Sequence, residues 1–229
     1  MSAFPIIAAK GRMTDRDYFD AKTCLVAAIN SSSHKASGIA KDLGDIYPHA
    51  NLFEERKQLY NLNRAIWYDR PSVGTIVVKE PPSSPKSNYP YVVGLVTQFG
   101  PGDSIEYNNA AKYFVENSRD VHYVNGLMLD RKENRRENFK RCLHQLSSYV
   151  MQNKNISKVV LPSGVGRRGK TDGEWKTYYF SELKNMAQQL DLNGIQVVIL
   201  EQDSPWDEES GNGGGDDSIG HDTASRARL

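Results

Sequence analysis

The sequence predicts an α/β protein, a three-layer α/β/α sandwich around a central mixed, mostly parallel sheet. Three observations predict it. Short apolar, β-branched runs recur along the chain. Several are apolar at consecutive positions, as strands covered on both faces require. Helix-period segments lie between them, the alternation that builds parallel sheets.

The opening run, Phe4–Ala8, predicts a first strand, and Thr23–Asn30 a second. Gly38–Tyr47 then predicts a short helix stopped by Pro48, and Leu52–Asn63 another helix. Gly74–Lys79 and Tyr91–Thr97 predict two neighbouring strands joined by Glu80–Pro90, whose four prolines mark a loop. Residues 98–133 form a long insertion, with a helix expected at Asn108–Glu116 and an element near His122–Leu129. From Asn134 to Met151 the apolar residues Phe139, Leu143, Leu146 and Val150 fall on one helical face. Lys158–Leu161 is the next strand. A helix from Glu174 to Leu190 follows, with Tyr179, Leu183, Met186 and Leu190 as its stripe. Asn193-Gly194 ends it and turns the chain into the last strand, Ile195–Leu200. Residues 1–201 read as one domain, and the acid- and glycine-rich residues 202–229 as a disordered tail.

Among 229 residues, 38% are hydrophobic and 25% charged, values of a soluble globular protein. The 29 basic and 28 acidic residues give a net charge of +1, hence no global field that draws nucleic acid or membrane. The two cysteines, Cys24 and Cys142, sit in apolar patterns without a metal-binding or disulfide spacing. No apolar run approaches ~18 residues and the N-terminus carries no signal pattern. The expectation is an intracellular protein, cytoplasmic or nuclear, monomeric, with no membrane, metal or cofactor.

In an open α/β sheet, ligands bind where strands end and helices begin. Two such junctions are informative. In the first, Asn30 ends a strand and Ala36, Ser37 and Gly38 lead into a helix. Small residues let a ligand approach the backbone, and the free amides at a helix start favour phosphate. A polar loop that merely caps a helix explains the same residues. The second junction is Pro162-Ser-Gly-Val-Gly-Arg-Arg-Gly169. Gly164, Gly166 and Gly169 match GxGxxG, which keeps an NAD-binding Rossmann-type protein open. That fingerprint normally opens a fold, however, and here only one strand follows.

Together the junctions resemble the macro domain family. Its first loop, roughly Asn-x-x-Leu-x-x-Gly-Gly-Gly-[Val/Ile]-Ala, is similar to Asn30 followed by Ala36-Ser37-Gly38-Ile39-Ala40, with Ser33 where leucine is usual. Val96-Thr-Gln-Phe-Gly-Pro101 resembles the family's strand ending in a Thr-Val-Gly-Pro-type turn, and Pro162-Ser-Gly-Val-Gly166 its second phosphate loop. The resemblance covers about residues 3–201 and looks closer to the branch that includes ADP-ribose-1''-phosphate phosphatases. It implies a macro domain-like sandwich that binds ADP-ribose, ADP-ribose-1''-phosphate or ADP-ribosylated protein or nucleic acid, with hydrolysis at the distal ribose. Asn30 and His34 are its implied catalytic residues. Ala36, Ser37, Gly38, Ile39, Ala40, Gln98, Phe99, Ser163, Gly164, Val165, Gly166 and Arg167 would bind the ligand. Arg12 stands where the family carries an acid that reads adenine, with Asp15 and Asp17 as substitutes, and Ala40 and Gln98 depart from two hydrolase patterns. A non-catalytic reader module therefore stays open beside the hydrolase. So does RNA or poly-ADP-ribose binding by Arg131, Lys132, Arg135, Arg136, Lys140 and Arg141, against a solvated helix face with Glu133 and Glu137 interleaved.

Overall fold

Among the described residues, six strands form one sheet in the order β1-β6-β5-β2-β4-β3. The computed structural model describes residues 5–15, 19–84, 88–101, 121–165 and 175–201. The strands are β1 (Ile6–Lys10), β2 (Thr23–Asn30), β3 (Ile76–Lys79), β4 (Tyr91–Gln98), β5 (Lys158–Pro162) and β6 (Gln196–Glu201). Every pairing is parallel except the edge pair β3–β4. The sheet is therefore mixed and mostly parallel.

The consecutive apolar runs have the expected cause, since β2 and β4 are central and covered on both sides. Cys24 and Val26 face one core, with Phe139, Leu146 and Leu183. Leu25, Ala27 and Ile29 face the other, with Ala40, Leu43 and Phe53. Helix α1 (Ile39–Ile46) covers the second face. Helices α3 (Lys132–Gln152) and α4 (Phe180–Asp191) cover the first. That is a three-layer α/β/α sandwich. Helix α1 stops at Tyr47, whose φ of −113° and ψ of 101° are extended, as the residue before Pro48 must be.

Two expectations need correction. The first strand runs Ile6–Lys10, not Phe4–Ala8, because its parallel register sets Ile6 against Val197 and Lys10 against Glu201. Leu52–Asn63 is not a helix. Leu52 and Phe53 enter the core. Beyond them Leu59 donates to the Arg64 carbonyl, Ile66 donates to the Lys57 carbonyl, and Gln58 bridges Ala65. Tyr60, at φ 52°, turns the tip. Long-range bonds outweigh the helical period there.

The element expected near His122–Leu129 is a helix, α2 (Val121–Met128). Helix α4 starts at Phe180, preceded by a π-helical turn over Trp175–Tyr179 where α-helix is expected; Glu174 lies outside the described residues. The expected helix at Asn108–Glu116 and the tail at 202–229 lie outside the described residues. Cys24 and Cys142 are buried and free. Burial pushes both thiols up to about 12, so neither is a thiolate nucleophile at neutral pH. The basic residues of α3 do not all share a face: Arg136 and Lys140 border one groove, and Arg135 points elsewhere. Arg135 is buried against Asp130, Arg136 lies over the Tyr178 ring, and Lys140 approaches Glu182. No described helix is long and apolar enough to cross a membrane, and no group of three potential metal ligands occurs among the described residues.

Candidate ligand-binding site

Strands β2 and β5 are parallel neighbours, so their carboxyl ends open side by side. The chain leaves β2 for α1 on one face of the sheet and leaves β5 for α4 on the other. Connections that depart in opposite directions from adjacent strands leave a crevice between them. A cleft of about 410 Å³ opens there. Ser37, Gly38, Ile39 and Ala40 form one side, and Ser163, Gly164 and Val165 the other. Asn30 and Gln98 stand at the strand tips between them.

The first loop has two halves. Residues 30–33 are pinned. The Ser31 and Ser32 amides donate to the Gln98 and Phe99 carbonyls at 3.0 and 2.9 Å, and the Ser33 amide donates to Asn30 Oδ1 at 2.7 Å. Ser31 Oγ donates to the Pro71 carbonyl at 2.6 Å. The second half is open. Gly38 caps α1 with φ 55° and ψ −143°, and no side chain caps the helix. Among the described residues, the amides of Gly38, Ile39 and Ala40 have no acceptor within hydrogen-bond distance. Their N–H groups sit at the positive end of the α1 dipole and border the cleft, an arrangement suited to an anion. A Cβ built on Gly38 would meet nothing within 4 Å.

The second loop offers less. The Ser163 amide donates to Leu200 at 2.7 Å and the Val165 amide to Pro162 at 3.2 Å, leaving the Gly164 amide open among the described residues. Gly164, at φ 73°, makes the turn. Gly166 and Arg167 lie outside the described residues.

Of the remaining expected residues, His34, Ala36 and Phe99 do not line the cleft. Ala36 packs against the core beneath α1. The His34 ring is held at 2.6 Å from the Arg56 carbonyl through Nδ1. A carbonyl only accepts, so Nδ1 carries the proton in that contact. Phe99 turns away. Its ring stacks on Gly126 of α2, where an added Cβ would fall 2.2 Å from the ring, and it tilts against Tyr123 at 5.7 Å. It lines a second groove of about 320 Å³ beside Trp67 and His122.

Four participants escaped the sequence reading. Phe53 and Thr97 line the cleft. Asp42, in the first turn of α1, borders a recess with Gly11, Arg12 and Met13 that shares Ile39 and Pro162 with the cleft. Asp15 does not, because its Oδ2 accepts the Arg12 amide at 3.0 Å; Asp17 lies outside the described residues. Arg56 is the fourth, buried beneath the first loop. Burial lowers its pKa to about 10, which leaves it charged at neutral pH. On the Gln98 side, Arg135 Nη1 donates to Gln98 Oε1 at 3.3 Å. Asp130 fixes the following turn by accepting from the amides of Phe99 and Gly100 at 3.1 and 3.0 Å.

No protein-family model matches the chain, and no curated protein does. Among solved structures it is similar to a mutant macrodomain of Oceanobacillus iheyensis, at 15% identity and TM-score 0.48 over 89% of this chain and 86% of that one. It is similar to the same organism's macrodomain with MES bound, at 14% identity and TM-score 0.43 over 89% and 85% of the two chains. An alphavirus protein described as P23pro-zbd matches at 13% identity and TM-score 0.43, over 91% of this chain and 23% of that one. With TM-scores below one half, these likenesses transfer neither family nor activity to the chain.

Proposed function

We propose that the chain is an ADP-ribose-binding module of the macro domain type, with the diphosphate held in the cleft between the two loops. One observation carries the reading: the unpartnered amides of Gly38, Ile39 and Ala40 at the start of α1, facing the Gly164 turn across the cleft. The first loop's likeness to the family pattern supports it, since Asn30 and Gly38-Ile39-Ala40 keep the family spacing. Asn30 Oδ1 is taken by the Ser33 amide, which orients the side chain and presents its amide nitrogen to a distal-ribose hydroxyl. The adenine edge is set against the shallow recess beside Arg12, which at about 30 Å³ holds only part of the base. There Asp42 takes the place of the family's missing acid as acceptor for the base's amino group.

The lining favours binding over turnover. Among the described residues, no His, Asp, Glu or Cys borders the cleft. Among the described residues none offers a proton acceptor at the distal ribose, which leaves the ligand's own phosphate as the candidate. The hydrolase reading, a phosphatase or ADP-ribosyl hydrolase, is therefore the second one, and it rests on the placement of Asn30 alone.

Calorimetric titration with ADP-ribose, against NAD and AMP, tests the proposal. Saturable binding of ADP-ribose is expected, with AMP at least about tenfold weaker for want of the second phosphate and distal ribose. Asp42→Ala is expected to weaken ADP-ribose about tenfold, the scale of one hydrogen bond to a charged group, and to leave ribose-5-phosphate unchanged. ADP-ribose-1''-phosphate is expected to be recovered intact after incubation; release of phosphate would promote the hydrolase. No ADP-ribose binding would end the proposal.

A further inference from the structure

Arg56 is a buried cation that, among the described residues, has no carboxylate within ion-pair distance, although Glu55 and Asp69 border the same groove. The residue is 4% exposed. Its Nη1 reaches the carbonyls of Asn30, Ser31 and Ser33 at 2.8, 3.2 and 2.8 Å. Its Nη2 is buried without an acceptor. Among the described residues, no Asp or Glu forms an ion pair with it. Its guanidinium carbon sits 3.9 Å from the centre of the Phe53 ring, and Phe53 borders the cleft.

Carbonyl dipoles and a ring face solvate this charge without cancelling it. A buried charge left uncancelled acts at longer range than one in water, because little solvent screens it. Here it contacts the ring of Phe53, a residue that borders the cleft. The same contacts turn three carbonyl oxygens of the first loop toward Arg56, so their negative ends are aimed at the guanidinium. Both effects make the cleft more positive. A residue needed only to tie the loop down would not require a charge, as the neighbouring ties of Ser31, Ser32 and Ser33 illustrate.

We infer that Arg56 is a specificity-determining residue of the cleft, setting its preference for multiply charged phosphate ligands through a buried charge, held without an ion pair among the described residues, against Phe53. The inference rests on an anion entering the cleft, as in the function proposed above, but not on that anion being ADP-ribose. Arg56 touches no ligand; it acts through the loop and its field.

The test uses the full chain and two inorganic probes, pyrophosphate and orthophosphate, titrated calorimetrically into wild type, Arg56→Gln and Arg56→Lys. Gly38→Val serves as the control that binding occurs in this cleft. Arg56→Gln keeps a donor for the carbonyls and drops the charge; Arg56→Lys keeps the charge and drops the fork. Arg56→Gln should lose about tenfold for pyrophosphate, the scale of one charge acting through protein, and distinctly less for orthophosphate. Arg56→Lys, which keeps a charge but loses the fork and the ring stacking, should lose distinctly less than Arg56→Gln for pyrophosphate. A merely structural role predicts that both variants fail alike and that both ions lose the same factor, and that result overturns the inference. A loss of about tenfold in Arg56→Lys overturns it even where Arg56→Gln fails to fold. Absence of pyrophosphate binding to wild type overturns it as well. ADP-ribose, run in parallel, separates the two claims. Pyrophosphate binding that depends on Arg56 without ADP-ribose binding removes the proposed ligand and leaves the role of Arg56 standing.

Discussion

Replacing Gly38 with valine is expected to lower ADP-ribose affinity by about 100-fold or more, which corresponds to roughly 2.7 kcal/mol. Gly38 holds φ 55° and ψ −143°, a combination that a β-branched residue reaches only under strain. Such strain costs on the order of 1–3 kcal/mol, and the backbone relieves it by rotating the peptide that leads into α1. That rotation moves the Gly38 and Ile39 amides out of their shared direction. A valine side chain that stays put fares no better, since the space around a Cβ there is empty protein surface at the cleft wall. Either outcome removes the anion site. The unfolding midpoint should fall only modestly, because Gly38 is exposed and packs against nothing. Calorimetry beside a denaturant curve checks both halves. Wild-type affinity in Gly38→Val would show that these amides hold no ligand.

The largest effect on stability is expected at Asp130. Its carboxylate meets Arg135 at 2.6 Å, with side chains only 2% and 4% exposed. It also accepts the amides of Phe99 and Gly100, which makes it the joint between α3 and the end of β4. Asp130→Ala strands a buried guanidinium without this carboxylate and leaves two amides unsatisfied. Removing one member of a buried pair typically costs about 3–5 kcal/mol. Asp130→Asn keeps an acceptor and should lose less. Urea unfolding gives the numbers, and a loss under about 1 kcal/mol in Asp130→Ala would mean that the pair is redundant. Gln98, hydrogen-bonded to Arg135 and bordering the cleft, should lose its position in the same variant.

The sheet and the two cleft loops were legible because their signals are local. Consecutive apolar residues in β2 and β4, a proline after α1 and glycines after β2 and β5 each state a backbone requirement within a few residues. The misreadings share another cause. Leu52–Asn63 has helical spacing, but Arg56 is drawn under a loop more than twenty residues earlier, and nothing in Glu54-Glu-Arg-Lys57 distinguishes that arginine from its solvated neighbours. Phe99 follows Gln98 directly. In extended chain successive side chains leave on opposite sides, so Gln98 entering the cleft sends Phe99 toward α2. That inference was available. His34 lies between the cleft-lining ends of its loop, yet its contact with the Arg56 carbonyl depends on where residues 52–58 fold. Asp42 sits one helical turn after Gly38, the spacing that shares a face. Its place is set by the turn of α1 and not by the residues that follow β1.

The central claim is that one ligand is gripped from both sides, by the start of α1 and by the turn after β5. It is tested most directly by following backbone amide resonances during an ADP-ribose titration. The account predicts that Gly38, Ile39, Ala40 and Gly164 shift together, saturate with a single dissociation constant and leave the groove at Trp67 and His122 unmoved. Shifts confined to one loop, or centred on that groove, would contradict it.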